Sequence, residues 1–243
     1  MTLTIIFPVH NEHLRLERGI DKCVRYIRDN ISIPVRIVIV DNGSEDDTQQ
    51  IGLKLAKEYT EVSYRRIEEK GVGVAFRTGI MEADTDIVGY MDVDLSTDLK
   101  HLSEMIGLFE RDTDLQYVNG SRFSKEASTK GRKWYRKITS NGLLFLLDHY
   151  LGMRSTDALC GFTFLKTETA RKLVGVCSDD CGWFYTVEFL IRAERMGVSI
   201  VEIPVEWIDD HNTTVKVIRT IADYLVKMKE LKKQLDKETR KNA

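Results

Sequence analysis

The stretch RIVIVDNGSEDDT, residues 36–48, decides the fold. Its apolar run from Ile37 to Val40 is too short for a helix. The run is also β-branched throughout, which suits a strand buried on both faces. It stops at Asp41, where Asn42, Gly43 and Ser44 supply turn chemistry, and Ser44 is a candidate N-cap for an amphipathic helix over 46–59. The same grammar recurs on either side. LTIIFPV (3–9) precedes a helical pattern over 12–29 that carries Leu14, Leu16, Ile20, Val24 and Ile27 among charges, and a helix over 72–83 precedes IVGYMD (87–92). Strand, helix and strand repeated in this way predict an α/β fold, a mostly parallel sheet flanked by helices.

Composition sets outer limits. With 243 residues and 42% hydrophobic content, the chain can bury one substantial core. Lys plus Arg (36) nearly balance Asp plus Glu (38), so no global field draws it to nucleic acid, and attraction to an anionic surface must be local. The four cysteines have no paired CxxC spacing, and the chain begins directly on a strand-like run without a charged and apolar leader. Both features point to the cytoplasm and free thiols. Cys177 and Cys181 lack the second pair that a zinc site needs.

In a doubly wound sheet, ligands bind outside the carboxyl ends of the strands. Three such ends are polar here: PVHNE (8–12), DNGSEDDT (41–48) and DVDLS (92–96). Each has a plain reading as strand stop, turn or cap. Each also has a chemical one: an anion site at a helix N-terminus after Asp41, or a metal held by Asp92 and Asp94. Three ends on one edge would converge on a single crevice.

FPVHNE, VDNGSEDDT, KGVGVAFRTGI (70–80) and MDVDLS, in that order, resemble the family 2 glycosyltransferases with the GT-A fold. NGSRF (119–123), CGFTFLK (160–166) and WFYTVEFLIRAERMGVSIVEIPVEW (183–207) are similar to the branch that glycosylates polyprenyl phosphates, which includes dolichol-phosphate mannose and glucose synthases. The resemblance implies an inverting transfer of a hexose from a nucleotide-diphosphate sugar, GDP-mannose or a UDP-hexose, to a polyprenyl or dolichyl phosphate. It implies that Pro8, His10, Glu12 and Asp41 hold base and ribose, with Gly43, Ser44, Lys70 and Val93 completing the donor contacts. Asp92 and Asp94 would be the DxD pair on Mg²⁺ or Mn²⁺, with Ser96 in the metal set. Asp94 would ligate directly, and Asp92 would be shared between metal and ribose. Arg122 and Arg136 would bind the acceptor phosphate, and Asp92, Asp94 and Arg122 would carry catalysis. Mannose synthases often have Gln two residues beyond the DxD. Ser96 stands there instead, so the donor stays open.

The acceptor half also has a charge signature. KEASTKGRKWYRK (125–137) holds six basic residues against Glu126, and the apolar ITSNGLLFLLDHYLGM (138–153) is too short to span a bilayer. This pair reads either as an interfacial helix beside anionic lipid or as a core helix behind a basic loop. A phosphate acceptor is already ionised and attacks without a base. Glu188 is then expected to be structural, whereas Asp179 and Asp180 keep a sugar-hydroxyl acceptor open as the alternative, alongside a noncatalytic nucleotide-sugar binder. KGVGVAFRTG lacks the ending of a P-loop, so its glycines are expected to begin a helix beside the donor. Trp183, Phe184 and Tyr185 suit either a cleft or a core.

Residues 1–210 read as the catalytic domain and 211–243 as a charged helical extension, exposed and frayed from Lys227 onward. Within the extension Lys216 is a remnant phosphate contact in the resemblance. No long apolar run occurs, so a membrane-spanning extension is not expected. The expected state is soluble or peripheral on the cytosolic face of a membrane, with a membrane subunit as a compatible partner.

Overall fold

The computed structural model describes the backbone of residues 1–131, 134–209 and 217–242, and their side chains except at 134–137, 217–221, 241 and 242. The three expected strands form as β1 (Leu3–Val9), β2 (Val35–Asn42) and β4 (Ile87–Met91). With β3 (Val62–Ile67), β5 (Tyr117–Ser121), β7 (Phe162–Lys166) and β8 (Ile200–Pro204) they make a seven-stranded sheet in the order β3-β2-β1-β4-β7-β5-β8. Every pairing is parallel except those of β7, which runs antiparallel to both β4 and β5. Val9 lies opposite Asp41, and Ile6 opposite Tyr90. The carboxyl ends of β1, β2 and β4 therefore finish level on one edge.

Period-two alternation divides the core between the two faces. Leu3, Ile5, Phe7 and Val9 of β1 face helices α1 (Leu16–Asn30) and α4 (Lys100–Arg111), packing on Leu16, Ile20, Val24, Leu102 and Met105. Ile6, Val40, Val88 and Tyr90 face α3 (Val72–Glu82), α6 (Thr167–Val174) and α7 (Phe184–Arg195) on the other side. There Phe76 meets Tyr90 at 4.8 Å and Phe189 at 5.3 Å between ring centroids. Truncating Phe76 to alanine would cost about 3–5 kcal/mol. The remaining helix of the N-terminal half, α2 (Thr48–Glu58), packs on β3 and α1.

Three elements differ from expectation. Helix α1 starts at Leu16 rather than 12, because the Glu12 carbonyl accepts from both Arg15 N and Leu16 N while Glu12 N donates to Thr48 Oγ1. Ser44 is not the cap of α2. Asp47 occupies that place, and the Ser44 hydroxyl accepts from Asn11 N instead. The C-terminal helix α8 (Val217–Asn242) is not wholly exposed: Tyr224, Met228, Leu231 and Leu235 at helical spacing are buried in the same core as α7.

The apolar segment after residue 133 forms α5 (Trp134–Leu146) and a π-helical turn (Leu147–Leu151) closed by Gly152 at φ 71°. Leu147 and Leu151 are buried, whereas Ile138, Phe145, Leu146 and Tyr150 are exposed. A two-stranded sheet of β6 (Ser128–Lys130) and β9 (Glu206–Ile208) bridges to Thr97 through Trp207, and Ile208 N donates to Ser96 O at 2.8 Å. No helix among the described residues is long and apolar enough to cross a membrane.

At the far end of the sheet from the crevice, Arg28 forks onto Glu61 at 2.8 and 2.9 Å. This hydrogen bond holds the Glu61 carboxyl at about 2 against an ordinary 4.5. A depressed acid stabilises the fold above its ordinary pKa and loses that contribution as pH falls through the native value. Glu61→Gln is therefore expected to be less stable than wild type at neutral pH, the gap closing between about pH 4.5 and 2. Urea denaturation across that range is the check, and a pH-independent gap would contradict it.

Candidate active site

At the carboxyl ends of β1 and β2, one buried side chain joins three chain segments. Asn42 donates from Nδ2 to Val9 O at 2.8 Å and accepts from Gly71 N at 3.0 Å, and its own carbonyl lies 3.1 Å from His10 Nδ1. Asn11 sits at φ 57°, with its Oδ1 accepting from Glu45 N at 2.8 Å. Ser44 links the two loops further, because its hydroxyl accepts from Asn11 N at 2.9 Å while its own N donates to Asp41 Oδ1 at 2.8 Å within the turn. Asp41 is fully buried, and its other oxygen takes Tyr64 OH at 2.6 Å and Arg66 Nη1 at 3.3 Å. Gly43, at φ 76°, makes the turn that left-handed backbone requires. Lys70 pairs with Glu45 at 2.6 Å across the rim, Glu12 pairs with Arg15 at 3.2 Å, and half-buried Pro8 lies opposite Val40. These residues share one edge, as expected.

The acidic turn follows β4. Leu95 adopts φ 55° and donates its N to Asp92 O, while Ser96 N donates to Asp94 Oδ1 at 2.9 Å. Close backbone approach holds the turn in place: a Cβ on Gly19 would lie 2.1 Å from Val93 O, and one on Gly161 would lie 1.9 Å from Asp92 Oδ2. Burial pushes the Asp92 carboxyl up to about 7, the charges of Asp94 and Glu12 add to this, and Arg122 opposes it. Two neighbouring carboxylates with a third nearby form an all-oxygen, anionic donor set, which fits a hard divalent cation rather than zinc. Among the described residues, no group of three or more His, Cys, Asp and Glu is placed to enclose an ion, so a cation here would complete its shell with oxygens from water or a ligand. Ser96 lines a cavity of about 310 Å³ with Leu95, Thr97, Lys130 and Trp207.

Opposite the turn, Arg122 forks onto Asp157 through Nε (2.7 Å) and Nη2 (2.9 Å) and lies 4.8 Å from the Trp207 ring centroid. Burial would lower its pKa, but the charge and hydrogen bonds of Asp157 raise it, so the cation is permanent. Its Nη1 edge makes none of these bonds. Arg136 belongs to α5, with its side chain outside the described residues, and Lys216 lies outside them altogether. Of the three, Arg122 is the one whose side chain is described, and it lies at the crevice.

Of the remaining candidates, Phe184 and Tyr185 are core residues and Trp183 is exposed. Glu188 is buried and held by Arg192 Nε at 2.7 Å and by Ser178 N at 2.9 Å, a structural arrangement. Asp180 accepts from Lys227 Nζ at 2.5 Å and from Gly182 N at 2.8 Å. Asp179 is fully exposed. Cys23 and Cys160 are buried thiols, and all four cysteines are free. Sequence reasoning missed Tyr64, Arg66 and Asp157, and read Asn42 only as a turn residue. For Tyr64 and Arg66 a signal existed, since alternation in VSYRRI puts both on one face beside β2.

The clash at Gly161 falls on the end of a side chain, so the fold can absorb Gly161→Ala while the Asp92 carboxylate must move. The variant is expected to keep its Tm within a few degrees and, on the reading of this turn as a metal–nucleotide site, to lose about tenfold or more in Mn²⁺-dependent nucleotide affinity. Calorimetric titration checks this, and unchanged affinity would contradict it.

The glycosyl transferase family 2 model matches residues 4–174. A dolichyl-phosphate beta-glucosyltransferase of Trichomonas vaginalis, ALG5A, is 30% identical over 225 residues, covering 88% of this chain and 68% of that protein. Glycosyltransferase AglD of Haloferax volcanii is 27% identical over 222 residues, 90% of this chain but 35% of that protein, so the chain spans about a third of this longer relative. Among solved structures, glucosyl-3-phosphoglycerate synthase of Mycobacterium tuberculosis superposes with a TM-score of 0.68 at 17% identity, covering 93% of this chain and 79% of that one, in a complex with Mn²⁺, UDP-glucose and glycerol 3-phosphate. The same enzyme with Mg²⁺ and UDP gives 0.68 at 16% identity over the same shares. The sheet order and these superpositions are those of the GT-A fold, and with more than half its length matched by the family model this chain belongs to glycosyl transferase family 2.

Proposed function

We propose that the chain transfers a hexose from a nucleotide-diphosphate sugar to a polyprenyl phosphate, with inversion at the anomeric carbon. The observation that carries this reading is the under-neutralised Asp92–Asp94 turn facing the fixed cation of Arg122, beside the cradle of Asp41, Asn42 and Gly71. The names of the dolichyl-phosphate relatives support the acceptor class, and the UDP complexes of the structural neighbours support the donor class.

Each residue then has a role. His10, Glu12 and the turn from Asp41 to Ser44 receive base and ribose, with Gly43, Lys70 and Val93 as flanking contacts. Asp94, Asp92 and Ser96 form the face that would hold Mg²⁺ or Mn²⁺, which when bound neutralises the pyrophosphate as it leaves. A phosphate oxygen bonds to the anomeric carbon, the carbon–oxygen bond to the pyrophosphate breaks, and the nucleoside diphosphate departs with the electron pair. No proton moves, so no base is required, which agrees with Asp180 being engaged by Lys227. Nη1 of Arg122 is the donor edge left for the acceptor phosphate, joined by Arg136 of α5 and by Lys216. The exposed Ile138, Phe145, Leu146 and Tyr150 next to the basic segment suit peripheral contact with the cytosolic face of a membrane.

Transfer of radiolabel from a panel of GDP- and UDP-sugars into the organic phase, with polyprenyl phosphate as acceptor, is the test. One donor is expected to label lipid, with chelation abolishing transfer, Mn²⁺ restoring it, and Asp94→Ala lowering it by about a hundredfold or more. Metal-dependent donor hydrolysis with no label in lipid would overturn the acceptor and favour a sugar hydroxyl.

A further inference from the structure

The segment between α6 and α7 touches the donor half directly. Gly73 N donates to Cys181 O at 2.8 Å, and Cys181 Sγ lies 2.6 Å from Glu69 Oε1. A Cβ on Gly71 would be 2.0 Å from Cys181 O, and one on Gly73 would be 2.6 Å from Asp180 O and 2.8 Å from Gly182 O. The glycines that open α3 are thus fitted against the carbonyls of residues 180–182, with no room for a side chain between. Gly71 in turn donates to Asn42, the side chain that ties β1 to β2.

This segment is itself held from two sides, and both holds lead to α8. Lys227 reaches Asp180 at 2.5 Å while also pairing with Asp223 at 2.9 Å. Asp180 caps its own turn by accepting from Gly182 N. Ser178 is bound by Glu188 through N and Oγ, Glu188 is bound by Arg192, and Arg192 reaches Glu238 at 3.0 Å and Gln234 at 3.1 Å. One end of α8 therefore grips residue 180 directly, and the other grips residue 178 through α7. Tyr224 against Phe184, at 5.3 Å between centroids, seats the helix about one turn before Lys227.

We propose that α8 is the positioning element of the donor cleft, with Lys227 setting residues 178–182 and thereby the Gly71–Gly73 turn beside Asn42. Lys227 is a positioning residue, not a catalytic one. The inference rests on the reading of this edge as a nucleotide-sugar site. The charge logic is asymmetric: removing Lys227 leaves Asp180 partly buried without its cation, whereas removing both charges does not.

Hydrogen exchange without any nucleotide tests the coupling by itself. Lys227→Met is expected to speed exchange of the Gly73 amide about tenfold, with Lys227→Arg and the double variant Lys227→Met/Asp180→Asn returning it toward wild type. Asp223→Asn, which spares the Asp180 contact, is the control and is expected to leave it unchanged. UDP and GDP titrations with Mn²⁺ then read the consequence: about tenfold weaker binding in Lys227→Met, and for turnover a raised donor KM with kcat little altered. Unchanged Gly73 exchange in Lys227→Met, with α8 still protected, would overturn the proposal, as would faster exchange without any loss of nucleotide affinity. Faster exchange in a protein whose wild type binds neither nucleotide would uphold the coupling and reject the donor reading instead.

Discussion

A single buried amide holds the carboxyl edge of the sheet together. Asn42 stands where β2 ends, and its donor and acceptor are spent on Val9 of β1 and on Gly71 ahead of α3. An unpaired polar group at that depth would cost about 1–3 kcal/mol, so neither neighbour can drift without exposing the other. The level register of β1 and β2 and the tight seat of Gly71 on residue 181 converge on this one side chain. A carboxylate in its place would have no proton to give Val9, and a leucine would satisfy neither neighbour.

The electrostatics of the crevice are arranged by subtraction. Arg122 could neutralise Asp92, but Asp157 takes its Nε and Nη2 and absorbs much of its charge. Burial drives the Asp92 carboxyl up, the neighbouring charge of Asp94 adds to this, and the shared cation of Arg122 offsets only part of it. Such a site gains most from a ligand that arrives with its own cation. Trp207 completes the arrangement by stacking on Arg122 from the same strand that pairs with Thr97 just past the acidic turn.

Much of this was legible in the sequence, and the limits have physical causes. Apolar runs and their polar stops located β1, β2 and β4, because strands buried on both faces leave an unbroken hydrophobic signature and the fold rule then makes their ends meaningful. Ser44 misled because a hydroxyl after a strand bonds equally well to its own helix or to a distant amide, and the choice fell to Asn11, 33 residues away. Asp157 carried no local mark, since its partner is 35 residues distant. The lysines of α8 concealed Met228, Leu231 and Leu235, whose spacing of three and four already spelled a buried stripe. Long basic side chains lie along such a stripe without interrupting it.

The reversed strand β7 has a consequence for synthesis. It pairs with both β4 and β5, and it leaves the ribosome some seventy residues after β4. Until then, a nascent chain that already holds the β2–β1–β4 ladder presents β4 as an open edge of unpaired backbone N–H and C=O groups, a template for pairing with another chain. Completion of the protein is in this sense the closing of a seam. The interval in which a chaperone would have something to shield is set by the distance along the chain from Met91 to Phe162.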